Sequence, residues 1–383
     1  MKQNILYIVC KLISFVWHYI APISRNKVVF ISFGGRTYND NPKVISEGLF
    51  DNYGSDIKQI WLVDEDKWKY LPPYVKAVKP SLINHLIYLP ISSVWVSNFS
   101  LFPSIYKSPS QYYIQTWHGD RAFKKIGFDV SGRENLKNNY LNSSKQIDLF
   151  IAGSKFGERM IRSAFHYEGE VLNIGCPRND QLLRNDEQKV NAIKKLLGVK
   201  KGERILMYAP TFRDINKDKG TKQSIPLDMN IVLNILSLAT HSKWKIFVRL
   251  HSHMIKYGCN IKFTEDIVSV SDYPDMSDLL LISDVLVTDY SSSVGDFSLM
   301  GKLSLLFQGD RTLYELNDRP LYFDMQKTPF IYAETTDKFY VLLNRFSELN
   351  GKENSRKINE FYEVTETGHS TEKICEIIHN KFV

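Results

Sequence analysis

Short β-rich runs alternate with helical stretches along nearly the whole chain, and that alternation leaves few folds open. Runs at 27–33, 57–63, 93–98, 112–117, 147–153 and 170–175 form a first series. A second series follows at 203–210, 244–250, 266–272, 284–288 and 303–308. Helical patterns stand between them, at 43–52, after Ser154, at 227–241, at 275–282 and from 293 onward. Runs such as KVVFISF, IKQIWLV and DVLVT are apolar at successive positions, as strands covered on both faces are. Strands of that kind alternating with helices wind into a parallel α/β sheet. The polar, lysine-rich stretch 181–203 separates the two series and reads as a helical bridge. The expected fold is therefore α/β, with two Rossmann-like domains facing a cleft, where ligands of such sheets bind at strand C-termini. The expected domains are 27–185 and 186–350, with a preceding segment 1–26 and C-terminal helices over 351–383. A chain of 383 residues is long enough for two such cores.

The first segment has a different character. Residues 4–23, NILYIVCKLISFVWHYIAPI, are strongly apolar, and Asn4, Lys11, Ser14 and His18 share one helical stripe. Three readings compete. A signal peptide lacks its small-x-small cleavage site, and a membrane span would be short and interrupted by Lys11 and His18. The favoured reading is an amphipathic helix lying in a bilayer surface, flanked by Lys2, Arg25 and Lys27 for anionic lipid. A helix simply packed on the protein remains the alternative.

Charge narrows the partners. A formal charge of +7 points to anionic ones, such as nucleotides, phosphate polymers or an acidic membrane face. No zinc finger, RNA-recognition signature or basic helix suggests nucleic acid. Cys10, Cys176, Cys259 and Cys375 are scattered without a CxxC pair, which fits unpaired thiols better than a disulfide framework or zinc site. GxGxxG, Walker, HExxH and GxSxG motifs are all missing. Asp64-Glu65-Asp66 has the DxD form of metal-dependent sugar transferases but reads as a solvated turn.

The unusual polar clusters fall just after strands. The run 284–288 stops at Asp289-Tyr290-Ser291-Ser292-Ser293, and a helix is expected to follow. Backbone N–H groups and hydroxyls at Ser291 and Ser292 would then form an anion site, although an ordinary serine N-cap has the same local pattern. In the first series, 112–117 runs into His118-Gly119-Asp120-Arg121, where a histidine suits general-base work, or sits in a loop without a role. In the second, Thr211 and Arg213 offer a hydroxyl and a guanidinium for phosphate. Arg249 precedes His251, and His251 with His253 forms an HxH pair that lacks further metal ligands. No metal or other cofactor is expected.

Several of these stretches together resemble the CDP-glycerol glycerophosphotransferase family, the primases and polymerases of teichoic acid and related bacterial polyol-phosphate polymers. They are SFGGRTYNDNPKVISEGL (32–49), QTWHGD (115–120), NIGCPRND (173–180), YAPTFRD (208–214), RLH (249–251), the block 271–297 and ETGHSTEKICEIIHN (366–380). The likeness is collinear over roughly 27–380. It implies a GT-B-like fold, monotopic attachment to the cytoplasmic face of the cell membrane, and transfer of glycerol phosphate from CDP-glycerol to a lipid-linked glycan or polyol-phosphate acceptor. The family's two functional histidines correspond to His118 and His251, and its donor-binding loop to Asp289, Ser291 and Ser292. The chain departs from the family pattern at Asp120, where many members have WHGT, at Ser252, where many have RLHP, and at Gly295, where a bulkier residue is usual. These departures read as changes of acceptor or donor specificity.

On this reading His118 takes the acceptor hydroxyl's proton while His251, Arg249 or Arg213, and the Ser291–Ser292 turn hold the phosphates. Enzyme alternatives are a CDP-ribitol-dependent transferase and a GT-B glycosyltransferase. The non-enzyme alternative is a membrane-bound module for anionic polymers, in which both histidines would be dispensable.

Overall fold

The computed structural model describes all residues except 1, 102–103, 132–133, 185, 214–224, 251–253, 255–259 and 383. The chain divides into two compact units. One comprises Met1–Asp120, Ile126–Asp180 and Thr365–Val383, the other Arg121–Lys125 and Gln181–Val364.

The first unit is built on seven parallel strands: β1 (Ser24–Ile31), β2 (Lys58–Leu62), β3 (Val75–Val78), β4 (Ser92–Ser97), β5 (Tyr112–Gln115), β6 (Leu149–Ala152) and β7 (Glu170–Asn173). Their order is β3-β2-β1-β4-β5-β6-β7. Val29 pairs with Ile60 on one side and Trp95 on the other, so β1 is central and its apolar residues are covered on both faces. The order reverses between β1 and β4, which opens a crevice at the strand C-termini. The second unit has six parallel strands: β8 (Arg204–Tyr208), β9 (Trp244–Val248), β10 (Ile267–Ser269), β11 (Val285–Thr288), β12 (Leu303–Phe307) and β13 (Ile331–Ala333). Their order is β10-β9-β8-β11-β12-β13, with the reversal between β8 and β11.

Two strands, β3 and β13, were not expected. Each is a short edge strand, VKAV and IYA, and too little of either is buried to leave an apolar run in the sequence. The bridge 181–203 contains the helix Glu187–Leu196, which belongs to the second unit, where Lys189 Nζ meets Asp278 Oδ1 at 3.0 Å. The last helices divide between the units. Gly351–Tyr362 packs in the second, where the Ser298 hydroxyl donates to Asn359 Oδ1 at 2.6 Å. Ser370–Phe382 packs in the first, burying Ile374, Cys375 and Ile378 against its core. Asp180 accepts from the N–H groups of Ser370 and Thr371, satisfying donors at the start of that helix. The 173–180 and 366–380 stretches are thus one structural joint. Cys10, Cys176 and Cys375 are buried free thiols.

On helix α1 (Lys2–Ile20), Ser14 and His18 of the expected stripe face the protein, whereas Lys11 is exposed. Ser14 is fully buried and its Oγ accepts from Tyr106 N at 2.8 Å; Trp17 Nε1 donates to Ile87 O at 3.0 Å. The apolar side chains look outward, with Ile8 63%, Leu12 61%, Tyr19 70% and Ile20 68% exposed. A helix bathed in water has the opposite arrangement. No helix among the described residues is long and apolar enough to cross a membrane.

Candidate functional site

In the first unit, the loops after β1, β4 and β5 converge on His118. Asn98, just past β4, is the hub. Its Oδ1 accepts from Phe33 N at 2.7 Å and its Nδ2 donates to Ser32 Oγ at 3.3 Å, fixing the loop after β1. Its carbonyl oxygen lies 2.7 Å from His118 Nδ1. A carbonyl only accepts, so Nδ1 carries the proton and Nε2 presents its lone pair. Burial lowers the His118 pKa from the ordinary histidine value, and Arg178 and Arg36 lower it further, against the hydrogen bond to Asn98 and the charge of Asp40. The imidazole is therefore neutral near pH 7, the state a general base requires.

Aromatic rings surround this imidazole: Trp117 at 4.3 Å, Phe33 at 5.2 Å and Phe99 at 5.9 Å between centroids. The backbone here is held in unfavourable conformations. Phe33, Asp40 and Trp117 have φ of 47, 62 and 49°, which L-residues other than glycine seldom adopt. Asn41 anchors them, donating from Nδ2 to Trp117 O at 3.2 Å and accepting from Arg178 N at 3.0 Å. Arg178 Nη1 pairs with Asp40 Oδ1 at 3.3 Å. The stretches 32–49, 115–120 and 173–180 thus meet around one side chain. Sequence reasoning had singled out only His118 of this group. Asp40, Asn41, Asn98 and Arg178 were missed because each acts through residues distant in the chain.

In the second unit, the corresponding reversal is floored by an ion cluster. Asp289 accepts from Thr211 N at 2.9 Å, from Tyr290 N at 2.6 Å and from Arg213 Nη2 at 2.9 Å. Arg213 also donates from Nε and Nη2 to Asp310, at 2.7 and 3.1 Å, and from Nη1 to Thr211 O and Oγ1, at 2.7 and 2.8 Å. All five N–H groups of its guanidinium thus face acceptors of the protein itself. Burial pulls the Arg213 pKa down, but Asp289 and Asp310 outweigh it and keep the group charged. The guanidinium lies 4.9 Å over Tyr314 and 5.1 Å over Tyr290, whose rings stack on each other at 3.9 Å. Arg213 and Asp289, both expected at the donor, are paired with each other.

A cavity of about 500 Å³ opens beside this cluster, lined by Tyr208, Pro210, Arg213, Thr288, Asp289, Phe307, Asp310 and Glu334 among others. It has the size and strand-end location of a small-molecule site.

The remaining expected residues stand in the same unit. Ser291 Oγ accepts from the Ser293 hydroxyl at 2.9 Å, and the half-buried Ser292 hydroxyl has no partner among the described residues. The helix after them is shorter than expected, Ser293–Phe297, so its dipole contributes little and hydroxyls and N–H groups remain the polar features of the turn. Arg249 Nη1 donates to Tyr273 O at 2.7 Å, and burial lowers its pKa. His251, expected as the second catalytic histidine, lies with Ser252 and His253 outside the described residues.

Two of the departures have packing roles here. Asp120 is buried and accepts from Gly153 N at 2.8 Å and Ser154 Oγ at 2.9 Å, closing the turn into the helix Lys155–Phe165. At Gly295 a Cβ would stand 2.7 Å from Cβ of Arg121, a fully buried residue whose Nη2 donates to Asp296 Oδ1 at 2.6 Å. The missing side chain at 295 is the space Arg121 occupies.

These features define an α/β protein of two doubly wound parallel sheets, each with polar residues gathered where its strand order reverses. Comparison with known proteins is more specific. Residues 13–380 match the family described as CDP-glycerol:poly(glycerophosphate) glycerophosphotransferase, and the chain belongs to that family. It is 31% identical over 375 residues to the teichoic acid glycerol-phosphate transferase of Staphylococcus aureus, covering 93% of each chain. It is 29% identical over 396 residues to the teichoic acid poly(glycerol phosphate) polymerase of Bacillus spizizenii, covering 98% of this chain and 99% of that one. The solved structure of the wall teichoic acid polymerase TagF superposes with a TM-score of 0.83 at 26% identity, covering 99% of this chain and 95% of that one.

Proposed function

We propose that this chain transfers glycerol phosphate from CDP-glycerol to a hydroxyl of a membrane-linked glycan or polyol-phosphate acceptor, releasing CMP. The observation that carries the mechanism is the tautomer of His118: Nδ1 is committed to Asn98 O at 2.7 Å, which leaves Nε2 to accept a proton. The acceptor oxygen attacks the phosphorus that bears glycerol, and its proton passes to His118 Nε2. The bond from that phosphorus to the bridging oxygen breaks, and CMP departs with the electron pair. The donor nucleotide occupies the cavity beside Asp289, and Thr211, Arg249, His251, Ser291 and Ser292 are the residues assigned to its phosphates. Arg213 and Asp289 line that cavity, and their pairing fixes its wall.

The enzyme works as a peripheral protein on the cytoplasmic face of the bacterial membrane. Two observations support this: the outward apolar surface of α1, and a basic cluster at the start of the first sheet. Lys27 pairs in register with Lys58, and Lys76 pairs with Ile60 two residues further on, so the three ammonium groups leave one face. Burial and the charges of Lys58 and Lys76 lower the Lys27 pKa, as mutual repulsion within such a cluster requires. An anionic lipid surface would relieve it.

The test is incubation of the purified full chain with CDP-glycerol and a lipid-linked acceptor, scoring CMP release and product mass. A phosphodiester product supports the reading; a glycosidic product overturns it. Vesicles with and without phosphatidylglycerol test the membrane part. Wild type is expected to sediment with the anionic vesicles, and an Ile8→Ser, Leu12→Ser variant to stay in solution. Equal sedimentation of the two proteins would remove α1 from the interface.

A further inference from the structure

Arg36 lies in the loop after β1, on the same crevice as His118. Its side chain is exposed, and its guanidinium stands 5.5 Å from the centroid of the Phe99 ring. Phe99 in turn lies nearly parallel to the His118 imidazole, 5.9 Å away at 24°, and is itself 37% exposed. The other charges around His118, Asp40 and Arg178, are paired with each other. Arg36 has no hydrogen bond or ion pair among the described residues. A guanidinium on an aromatic platform beside a catalytic base is available to a ligand.

The backbone aims it. Phe33, Gly34 and Gly35 have successive φ values of 47, 70 and 91°. At Gly35 a Cβ would stand 2.4 Å from Pro80 Cβ, so the loop lies pressed against the turn after β3. A loop in such conformations persists only where its surroundings fix it, and Phe33 N is fixed by Asn98 Oδ1. The same asparagine orients His118. The cation and the base are therefore set from one residue.

The ligand chemistry follows from what meets His118. If the attacking hydroxyl belongs to a polyol-phosphate chain, the nearest anion on that molecule is the phosphodiester one polyol behind it. A guanidinium recognises such an oxyanion through paired N–H donors. We infer that Arg36, supported by Phe99, binds the phosphodiester preceding the acceptor's terminal hydroxyl, and so selects acceptors that already end in polyol phosphate. This rests on His118 being the acceptor base.

The experiment uses the full chain, saturating CDP-glycerol, and two soluble acceptors, glycerol and glycerophosphoglycerol. Wild type is expected to favour glycerophosphoglycerol in kcat/KM. Arg36→Gln should lower that preference by roughly 10- to 100-fold, mainly by raising KM for glycerophosphoglycerol, and Arg36→Lys should recover part of it. Phe99→Leu, which removes the platform, should lower it less. An unchanged ratio in Arg36→Gln overturns the inference, as does a raised KM for CDP-glycerol with the acceptor ratio intact. A wild type that uses both acceptors equally sinks this inference alone. A wild type that forms no phosphodiester from CDP-glycerol with either acceptor sinks the proposed function, and this inference with it.

Discussion

The crevice between β1 and β4 and the one between β8 and β11 occupy the same place in two similarly wound sheets, yet they are stabilised in opposite ways. In the first, one neutral imidazole is presented by strained backbone, aromatic rings and a single carbonyl. In the second, an arginine and two aspartates satisfy one another almost completely, and the cavity opens beside them. A reactive group needs an unpaired lone pair and a tuned pKa, so few polar contacts can be spent on it. A wall that receives a charged donor needs rigidity and fixed charge, and a closed ion network supplies both.

The sharpest way to break this comparison is to remove the base. His118→Ala should lower turnover by roughly 10²–10⁴-fold with little change in CDP-glycerol affinity measured by calorimetry. Lost donor binding with turnover otherwise preserved would assign His118 to the donor side.

Asp289→Ala attacks the other crevice. Its side chain is 5% exposed, and its loss leaves the Arg213 charge short of a partner. Removing one member of a buried pair typically costs about 3–5 kcal/mol, so Tm should fall markedly and donor binding with it. A Tm close to wild type would mean that the network is not what holds the wall.

A milder change separates hydroxyls from backbone. Ser291→Ala with Ser292→Ala should weaken donor binding by about 1–3 kcal/mol, since N–H groups remain. Unchanged affinity would move the phosphates away from this turn. On a similar scale, Gly295→Ala forces a Cβ against Arg121 and should destabilise the second unit by about 1–3 kcal/mol in denaturant unfolding.

The smallest effect is a shift in pH. His118 must be unprotonated to act, so the rate falls as pH drops through its pKa. Burial lowers that pKa, so the acid limb of kcat/KM should lie below the ordinary histidine value of 6.5. An acid limb above 6.5 would contradict the buried, carbonyl-bound imidazole.

What the sequence determined by itself was what depends on near neighbours. Apolar runs alternating with helical periods define two parallel α/β sheets, because burial on both faces leaves its mark on consecutive residues. His118, Thr211, Arg213 and Asp289 could be placed at strand ends for the same reason. The tertiary structure decided which of them are already engaged. Arg213 looked ready for phosphate until it met Asp289, 76 residues away, and Asp310, 97 away. Asn98 was an ordinary strand-end residue until the fold set it 20 positions from the histidine whose tautomer it fixes. The stripe of α1 was legible, but not that Ser14 is buried while Lys11 is exposed, because Ser14 turns inward only by meeting Tyr106. Periodicity is encoded locally, whereas a hydrogen-bond partner is chosen by whichever distant segment the packed core brings within reach.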